Sequence, residues 1–168
     1  MISMFRDVGI FHEKFNLPTA NPGPKYRRPQ ILNDDEFHYR LNFLKEELQE
    51  FVTAHAQDDL EGCADALADL VWVALGTAHY MGIPFDAIWA EVNRANLEKR
   101  PWQEGDPVKP RAKHLTSMAL EIAKPVGWKA PELNRIIAKA LPDIRGCPLC
   151  DPDPRDNSHF CEFHKDAS

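Results

Sequence analysis

The chain has 168 residues, 43% of them hydrophobic, and a formal charge of -6. Its length allows one domain with a sizeable core plus a small appendage, and its negative charge excludes a general attraction to nucleic acid. The longest strongly apolar run, Leu70 to Gly76, is far below the ~18 residues of a membrane span, so we expect a cytoplasmic protein without a membrane or nucleic-acid partner.

Apolar residues at helical spacing predict four main helices in chain order: Ser3 to Phe15, from Asn33 onward, Asp58 or Asp59 to Tyr80, and about Pro84 to Lys99. Asn33 and the acids that follow it are typical of a helix start, and Gly82 with Pro84 is typical of a helix stop. Two shorter helices are expected in "LTSMALEIAK" and "APELNRIIAKAL". No segment alternates strictly between apolar and polar residues, so the predicted fold class is all-α.

The third predicted helix is apolar nearly all round from Leu70 onward. Such a helix is buried on most sides, and one subunit of this size offers few helices to cover it. We therefore expect self-association through this helix, and partial burial of Asp69, which immediately precedes the apolar run.

Carboxylates crowd the second and third predicted helices. Glu47 and Glu50 share one side of the second helix, with Glu46 pointing further toward solvent, and the third helix places acids at spacings of four: Glu61, Asp65 and Asp69. Buried carboxylates need a partner, and Lys45 is the only Lys or Arg between Arg40 and Arg94. The two helices therefore predict an oxygen-rich cage for Mg²⁺ or Mn²⁺; the alternative is an ordinary solvated acidic face.

The fourth predicted helix offers amide and cationic donors near its end, at Asn93, Arg94, Asn96 and Lys99. Such groups suit phosphate oxygens. A basic helix end that complements the helix dipole is the alternative interpretation.

The C-terminal segment contains Cys147, Cys150, Cys161 and His164 in a C-x2-C-x10-C-x2-H pattern. Ligand pairs two residues apart suit one tetrahedral Zn²⁺, which would supply the folding energy that this short polar tail lacks. Free or oxidised thiols are the alternative, and His159 could replace His164. We thus predict a helical domain over residues 1–140 and a zinc-binding tail over residues 141–168.

Five segments, in order, resemble the MazG-like all-α nucleoside triphosphate pyrophosphatases, and in particular a phage and bacterial branch labelled phosphoribosyl-ATP pyrophosphohydrolase-like: "DVGIFHEKFNLP", "RLNFLKEELQEF", "DALADLVWVALGTAHYMGI", "EVNRANLEK" and "GDPVKP…GWKAPEL". The resemblance covers Phe5 to about Ile137. It implies a helical bundle assembled between subunits as a homodimer or homotetramer. It also implies two or three Mg²⁺ or Mn²⁺ ions at a site that hydrolyses the α–β phosphoanhydride.

The resemblance also assigns roles to residues. Glu47, Glu50 and Asp69 match the family's metal ligands, and Glu46 matches the first glutamate of the motif, a position behind the ligands or a base. The chain departs from the common E-x-x-D pattern because Ala66 stands three residues before Asp69. Asp65 is the expected substitute ligand and Glu61 the weaker candidate, which leaves the number of metals open. The segment that contacts phosphate is matched by Asn93, Asn96 and Lys99, together with Arg94.

The implied function is that of a nucleotide diphosphatase, which converts a (d)NTP to a (d)NMP and pyrophosphate. Some phage members act on dGTP or GTP, so a purine nucleotide is the expected substrate, in the host cytoplasm if the chain is phage-encoded. Aromatic residues that could stack on a base are Phe11, Phe15, Trp102 and Trp128. The competing hypothesis is a non-catalytic helical oligomer whose zinc tail binds nucleic acid or a protein.

Overall fold

The computed structural model describes residues 3–101, 103 and 122–140. The elements within these ranges are α1 (Met4–Lys14), α2 (Asp34–Ala56), α3 (Leu60–Tyr80), α4 (Phe85–Leu97), β1 (Arg100–Pro101), β2 (Ile122–Ala123) and α5 (Leu133–Ala140). The described residues fall into two compact units, one built from residues 3–85 and 137–140, the other from the described part of Asp86–Ile136. The predominance of helix confirms the predicted all-α class.

The predicted helix boundaries are confirmed by capping side chains. Asn33 accepts a hydrogen bond from the backbone of Glu36 at 2.9 Å, and Asp59 accepts one from the backbone of Gly62 at 3.0 Å. These bonds satisfy amide groups that a helix start leaves without a partner. At the end of α3, Gly82 has φ +65°, and a β-carbon there would collide with the carbonyl oxygens of Arg27 and Arg28. Only glycine can occupy this position at the end of α3.

The core of the first unit lies between α1 and the C-terminal part of α3. Phe5 and Val8 of α1 pack against Leu75 and Ala78 of α3, and the ring of Phe5 stacks on that of His79 with centroids 3.8 Å apart. α2 pairs along α3 from Gly62 to Val73, and the acidic residues of both helices do not belong to this core.

The prediction that α3 is buried on most sides from Leu70 onward is only partly confirmed. Leu75 and His79 are buried, but the side chains of Val71 and Trp72 remain 45% and 40% exposed. The physical reason is that the buried contacts of α1 are with the C-terminal part of α3, near Leu75 and Ala78. The described part of the chain therefore leaves an apolar surface on α3 open.

The second unit contains α4 and an antiparallel ladder in which Arg100 pairs with Ala123 and Pro101 with Ile122. The ladder contradicts the helix expected in "LTSMALEIAK" at Ile122 and Ala123, and residues 115–121 of that segment lie outside the described ranges. Pairing with the extended residues after α4 satisfies their backbone groups and overrides the local pattern. The last helix is confirmed as α5.

No single helix in the described ranges is long and apolar enough to cross a membrane, although α3 and α4 pass that test of length and composition when they are taken together as a bent pair.

Candidate active site

The two acidic helices form an antiparallel hairpin whose alignment is fixed at both ends. Near the connecting loop, a β-carbon on Gly62 would lie 3.1 Å from the β-carbon of Ala54, so the two backbones approach closely. At the other end, the buried guanidinium of Arg40 donates a hydrogen bond to the carbonyl of Val73 at 2.9 Å. Between these points the helices rise equally per residue in opposite directions. Residues of α2 and α3 therefore meet in a defined order.

This alignment places Glu47 of α2 level with Asp69 of α3, and Glu50 level with the Asp65 and Ala66 positions. Ala66 is buried and Asp65 is exposed. The α3 side chain that faces the line of contact between α2 and α3, here called the seam, is therefore the small apolar one. The carboxylates thus lie beside the seam, on its open side.

The charge environment of Glu47 shows that the predicted acids converge. Burial raises the pKa of the Glu47 carboxyl, and nearby carboxylates raise it further, in decreasing order Glu50, Asp69, Glu46 and Asp65. A pKa raised in this way means that the negative charge of Glu47 is destabilised where it stands. Every acid assigned to the site thus acts on one half-buried glutamate.

A groove of about 380 Å³ opens between the second half of α2 and the first half of α3. Three of the predicted acids line it, Glu46, Glu50 and Asp65, together with the neutral polar side chains of Gln49 and Thr53. Glu47 and Asp69 are not among its lining residues. Glu46 therefore faces the groove, although the sequence placed it further toward solvent than Glu47.

The donor set fits a hard divalent cation, because all five side chains offer carboxylate oxygens. In the part of the chain that the structure describes, no cationic side chain forms an ion pair with any of them. No three Asp, Glu, His or Cys side chains in the same ranges stand close enough to ligate one ion together. The cluster therefore has the donor chemistry of a metal site, without a closed set of three ligands among the described residues.

The expected partial burial of Asp69 is wrong, because its side chain is exposed. The apolar residues that follow it, Val71 and Trp72, are themselves open on one side of α3. The expected burial relied on self-association, and the described part of this one chain covers α3 near Leu75 and Ala78.

The structure favours Asp65 over Glu61 as the residue that compensates for Ala66. Asp65 lines the groove and raises the pKa of Glu47. Among the described residues, Glu61 is neither a groove-lining residue nor one of the charges that raise this pKa. Glu61 lies a full turn nearer the loop, in the first turn of α3.

The raised pKa of Glu47 predicts how the thermal stability of the protein depends on pH. A carboxyl whose folded-state pKa lies above its unfolded value of about 4.3 contributes stability that is complete below the unfolded value and is lost as the pH rises through the folded one. In metal-free buffer we therefore expect the wild type to lose thermal stability relative to Glu47→Gln as the pH is raised from about 4 to 7.

Melting temperatures of both proteins across that pH range, without and with Mg²⁺, provide the measurement. Mg²⁺ at neutral pH should restore the wild type more than the variant, because only the wild type carries the full anionic ligand set. A difference in melting temperature that does not depend on pH would contradict the assigned environment of Glu47.

The donors predicted on α4 differ in their availability. Arg94 donates two hydrogen bonds to Glu91, at 3.0 and 2.8 Å, and one to Glu98 at 2.7 Å. Lys99 donates to the side-chain oxygen of Asn96 at 2.6 Å, and Asn93 is exposed. The charge of Arg94 is already paired with two carboxylates, whereas the hydrogen bond that Lys99 donates goes to a neutral oxygen.

Glu91 anchors this end of the second unit. The hydrogen bonds from Arg94, and after them the backbone amide of Glu132, lower the pKa of Glu91 to about 2. The amide of Glu132 donates to Glu91 at 3.1 Å, which ties the segment before α5 to α4. Arg94 and the Glu132 amide thus share the Glu91 carboxylate as their hydrogen-bond acceptor.

The predicted zinc ligands, Cys147, Cys150, Cys161 and His164, lie outside the described residues, and so does the boundary at residue 140/141. Both stay predictions. Cys63, on α3, carries a free thiol.

Sequence reasoning missed the importance of Arg40. Its guanidinium is buried beside the rings of Tyr39, Phe43 and Tyr80, at 6.0, 5.5 and 5.1 Å from their centroids. Burial lowers the pKa of Arg40, and within the described ranges no carboxylate forms an ion pair with it. Its two aromatic neighbours in "HYRLNF" were the available signal.

Comparison with known proteins adds one match. The family model described as phosphoribosyl-ATP pyrophosphohydrolase matches residues 8–96, which cover both acidic helices and α4 almost to its end. No curated protein matches the chain significantly.

Proposed function

The chain belongs to the phosphoribosyl-ATP pyrophosphohydrolase family, within the MazG-like all-α nucleoside triphosphate pyrophosphatase superfamily, and we propose from this membership that it hydrolyses the α–β phosphoanhydride of a nucleoside triphosphate. The products are a nucleoside monophosphate and pyrophosphate. Membership itself supports a nucleotide pyrophosphohydrolase activity in general. The observation that most supports the proposal is the convergence of four carboxylates from two helices on Glu47, inside the matched range.

Glu47, Glu50, Asp65 and Asp69 would hold the two or three Mg²⁺ or Mn²⁺ ions on which this family generally depends. Bound there, the ions would neutralise phosphate charge and lower the pKa of an attacking water. The protein's own contribution is to hold the carboxylates in a fixed order along the α2–α3 seam. Glu46 faces the same groove as Glu50 and Asp65, where a carboxylate can accept a proton from water.

The nucleotide phosphates also need donors from the protein. We propose Asn93, Asn96 and Lys99 for this role. Arg94 matches the same family segment, and its ion pairs with Glu91 and Glu98 support a positioning role for it instead. A purine nucleotide such as dGTP or GTP remains our proposed substrate, with Phe11, Phe15, Trp102 and Trp128 as candidates to stack on the base.

A homodimer or homotetramer is supported by the apolar side chains that the hairpin leaves exposed. Leu48 and Val52 stand one turn apart on α2, as do Leu67 and Val71 on α3, and all four are about half exposed. Apolar surface of this kind is typically covered by a partner. A structural Zn²⁺ bound by the C-terminal cysteines and His164 completes the proposal for residues 141–168.

The test is a substrate panel. The full-length protein is incubated with each dNTP, each NTP and phosphoribosyl-ATP, with Mg²⁺ or Mn²⁺, and released pyrophosphate and orthophosphate are measured separately. We expect pyrophosphate and a nucleoside monophosphate from at least one compound, with a purine preferred. Failure of every compound to release pyrophosphate would overturn the enzyme proposal and favour a non-catalytic oligomer whose tail binds a protein or nucleic acid.

A further inference from the structure

The groove between α2 and α3 has a neutral part beside its carboxylates. Glu46, Glu50 and Asp65 line one part of it, and the uncharged side chains of Gln49 and Thr53 line the part that follows along α2. Residues three apart on a helix lie on the same side, so Gln49 follows Glu46 and Thr53 follows Glu50. The volume of about 380 Å³ is in the range of small-molecule sites. The groove therefore has room for an uncharged group next to the carboxylates.

Two hydrogen bonds between Gln49 and Thr53 orient the amide of Gln49. The hydroxyl of Thr53 donates its one proton to the backbone carbonyl of Gln49 at 2.8 Å. The hydroxyl oxygen can therefore only accept from the side-chain amide nitrogen of Gln49, which lies 3.4 Å away. This arrangement turns the amide nitrogen toward Thr53. The side-chain oxygen of Gln49, to which no described residue donates, is left as a hydrogen-bond acceptor.

The chemistry of this acceptor selects one part of a nucleotide. Phosphate oxygens are excluded as its partner, because they too offer only lone pairs. Base stacking is not supported here, since none of the described residues that line the groove is aromatic. A sugar hydroxyl has the proton that the acceptor needs, and in a nucleotide the sugar is bonded directly to the α-phosphate. Phosphates held at the carboxylates therefore bring the sugar next to Gln49.

We propose that the side-chain oxygen of Gln49 accepts a hydrogen bond from a hydroxyl group of the substrate's sugar, with Thr53 as the residue that positions the amide. The assignment rests on the proposed function, because the phosphates at the carboxylates place the sugar. A site built to bind a hydroxyl discriminates against the analogue that lacks it. Gln49 thus makes the enzyme selective among ribose, 2′-deoxyribose and 2′,3′-dideoxyribose.

A double-mutant cycle between protein and substrate tests this contact. The value of kcat/KM is measured in wild type and Gln49→Met for a ribonucleoside triphosphate and for its 2′-deoxy and 2′,3′-dideoxy forms. Removing the contacted hydroxyl should cost the wild type about threefold to tenfold, as expected for one hydrogen bond. Gln49→Met keeps the length of the side chain and should treat the three sugars equally within about twofold. Damage to the fold or the metal site would lower all three values together, so the ratios report the contact alone.

The positioning role of Thr53 and a matched control use the same three nucleotides. Thr53→Val should weaken the discrimination between sugars, and Thr53→Ser, which keeps the hydroxyl, should preserve it. Gln57→Met is the control, because it makes the same substitution in the same groove about 10 Å from Glu50 along α2. Gln57→Met should change the three values by one common factor. Loss of discrimination in Gln57→Met instead of Gln49→Met would overturn the assignment.

The outcomes separate this contact from the proposed reaction. Equal kcat/KM for the three sugars in the wild type, or undiminished discrimination in Gln49→Met, would overturn the contact and leave the reaction standing. If the wild type hydrolyses none of the nucleotides, their dissociation constants in the presence of Mg²⁺ are compared instead. Sugar-dependent affinity that Gln49→Met abolishes would then support the contact although the reaction fails. Affinity that is independent of the sugar, or no binding, would overturn the contact as well.

Discussion

Glu50→Gln and Asp69→Asn are each expected to lower the rate of pyrophosphate release by about a hundredfold or more while leaving the helical content unchanged. Loss of even an outer partner of a metal ligand costs about 10 to 100-fold, and a direct ligand should cost at least as much. Both changes preserve side-chain size and remove only the charge. The measurement is the initial rate with the best nucleotide of the panel, at saturating Mg²⁺ or Mn²⁺.

The fold should survive these changes because neither carboxylate stabilises it. Both side chains are exposed, and both raise the pKa of Glu47 through repulsion. Neutralising either one removes an unfavourable interaction, so the metal-free variants should melt no lower than the wild type. Unfolding of both variants would indicate a structural role and contradict the site.

Glu61→Gln is the matched control, since it removes the same charge from the same helix. The groove and the electrostatics of Glu47 both involve Asp65 and not Glu61, so Glu61→Gln should retain activity within about twofold. Asp65→Asn should lower the rate of pyrophosphate release as strongly as Glu50→Gln and Asp69→Asn do. The reverse pattern, with Glu61 essential and Asp65 dispensable, would mean that the substitute for Ala66 is misassigned.

The helices and their ends could be predicted from the sequence because each is specified locally. Asn33 and Asp59 cap helices by bonds to amides only three residues away, and Gly82 stops α3 through its own backbone conformation. Such signals need no knowledge of the rest of the chain. The spacing of the carboxylates likewise follows from helical geometry, and their convergence on Glu47 follows once the two helices are paired.

The predictions that failed concerned features that depend on contacts between distant segments of the chain. Ile122 and Ala123 form a strand because Arg100 and Pro101 are available to pair with them. Asp69 is exposed because the described part of the chain does not cover that side of α3.

His79→Leu is expected to destabilise the protein by about 1 to 3 kcal/mol, because that is the cost of a polar group, here the Ala20 amide, left without a partner. The side chain of His79 is 0% exposed, and its two ring nitrogens join three segments. The backbone amide of Ala20 can only donate, so Nδ1 accepts its bond at 3.1 Å. Nε2 therefore carries the proton and donates to the carbonyl of Phe5 at 2.9 Å.

Leucine fills a similar volume but leaves the Ala20 amide without its partner, and the hydrogen bond from α3 to the Phe5 carbonyl of α1 is lost. His79→Gln can still donate to Phe5, so an intermediate loss is expected. His55→Leu, an exposed histidine near the end of α2, should cost less than about 0.5 kcal/mol. Urea unfolding at one fixed protein concentration measures all three. If His79→Leu is as stable as His55→Leu, then the hydrogen bonds of His79 do not hold α1 in place, and the α1–α3 core rests on the apolar contacts of Phe5 and Val8 alone.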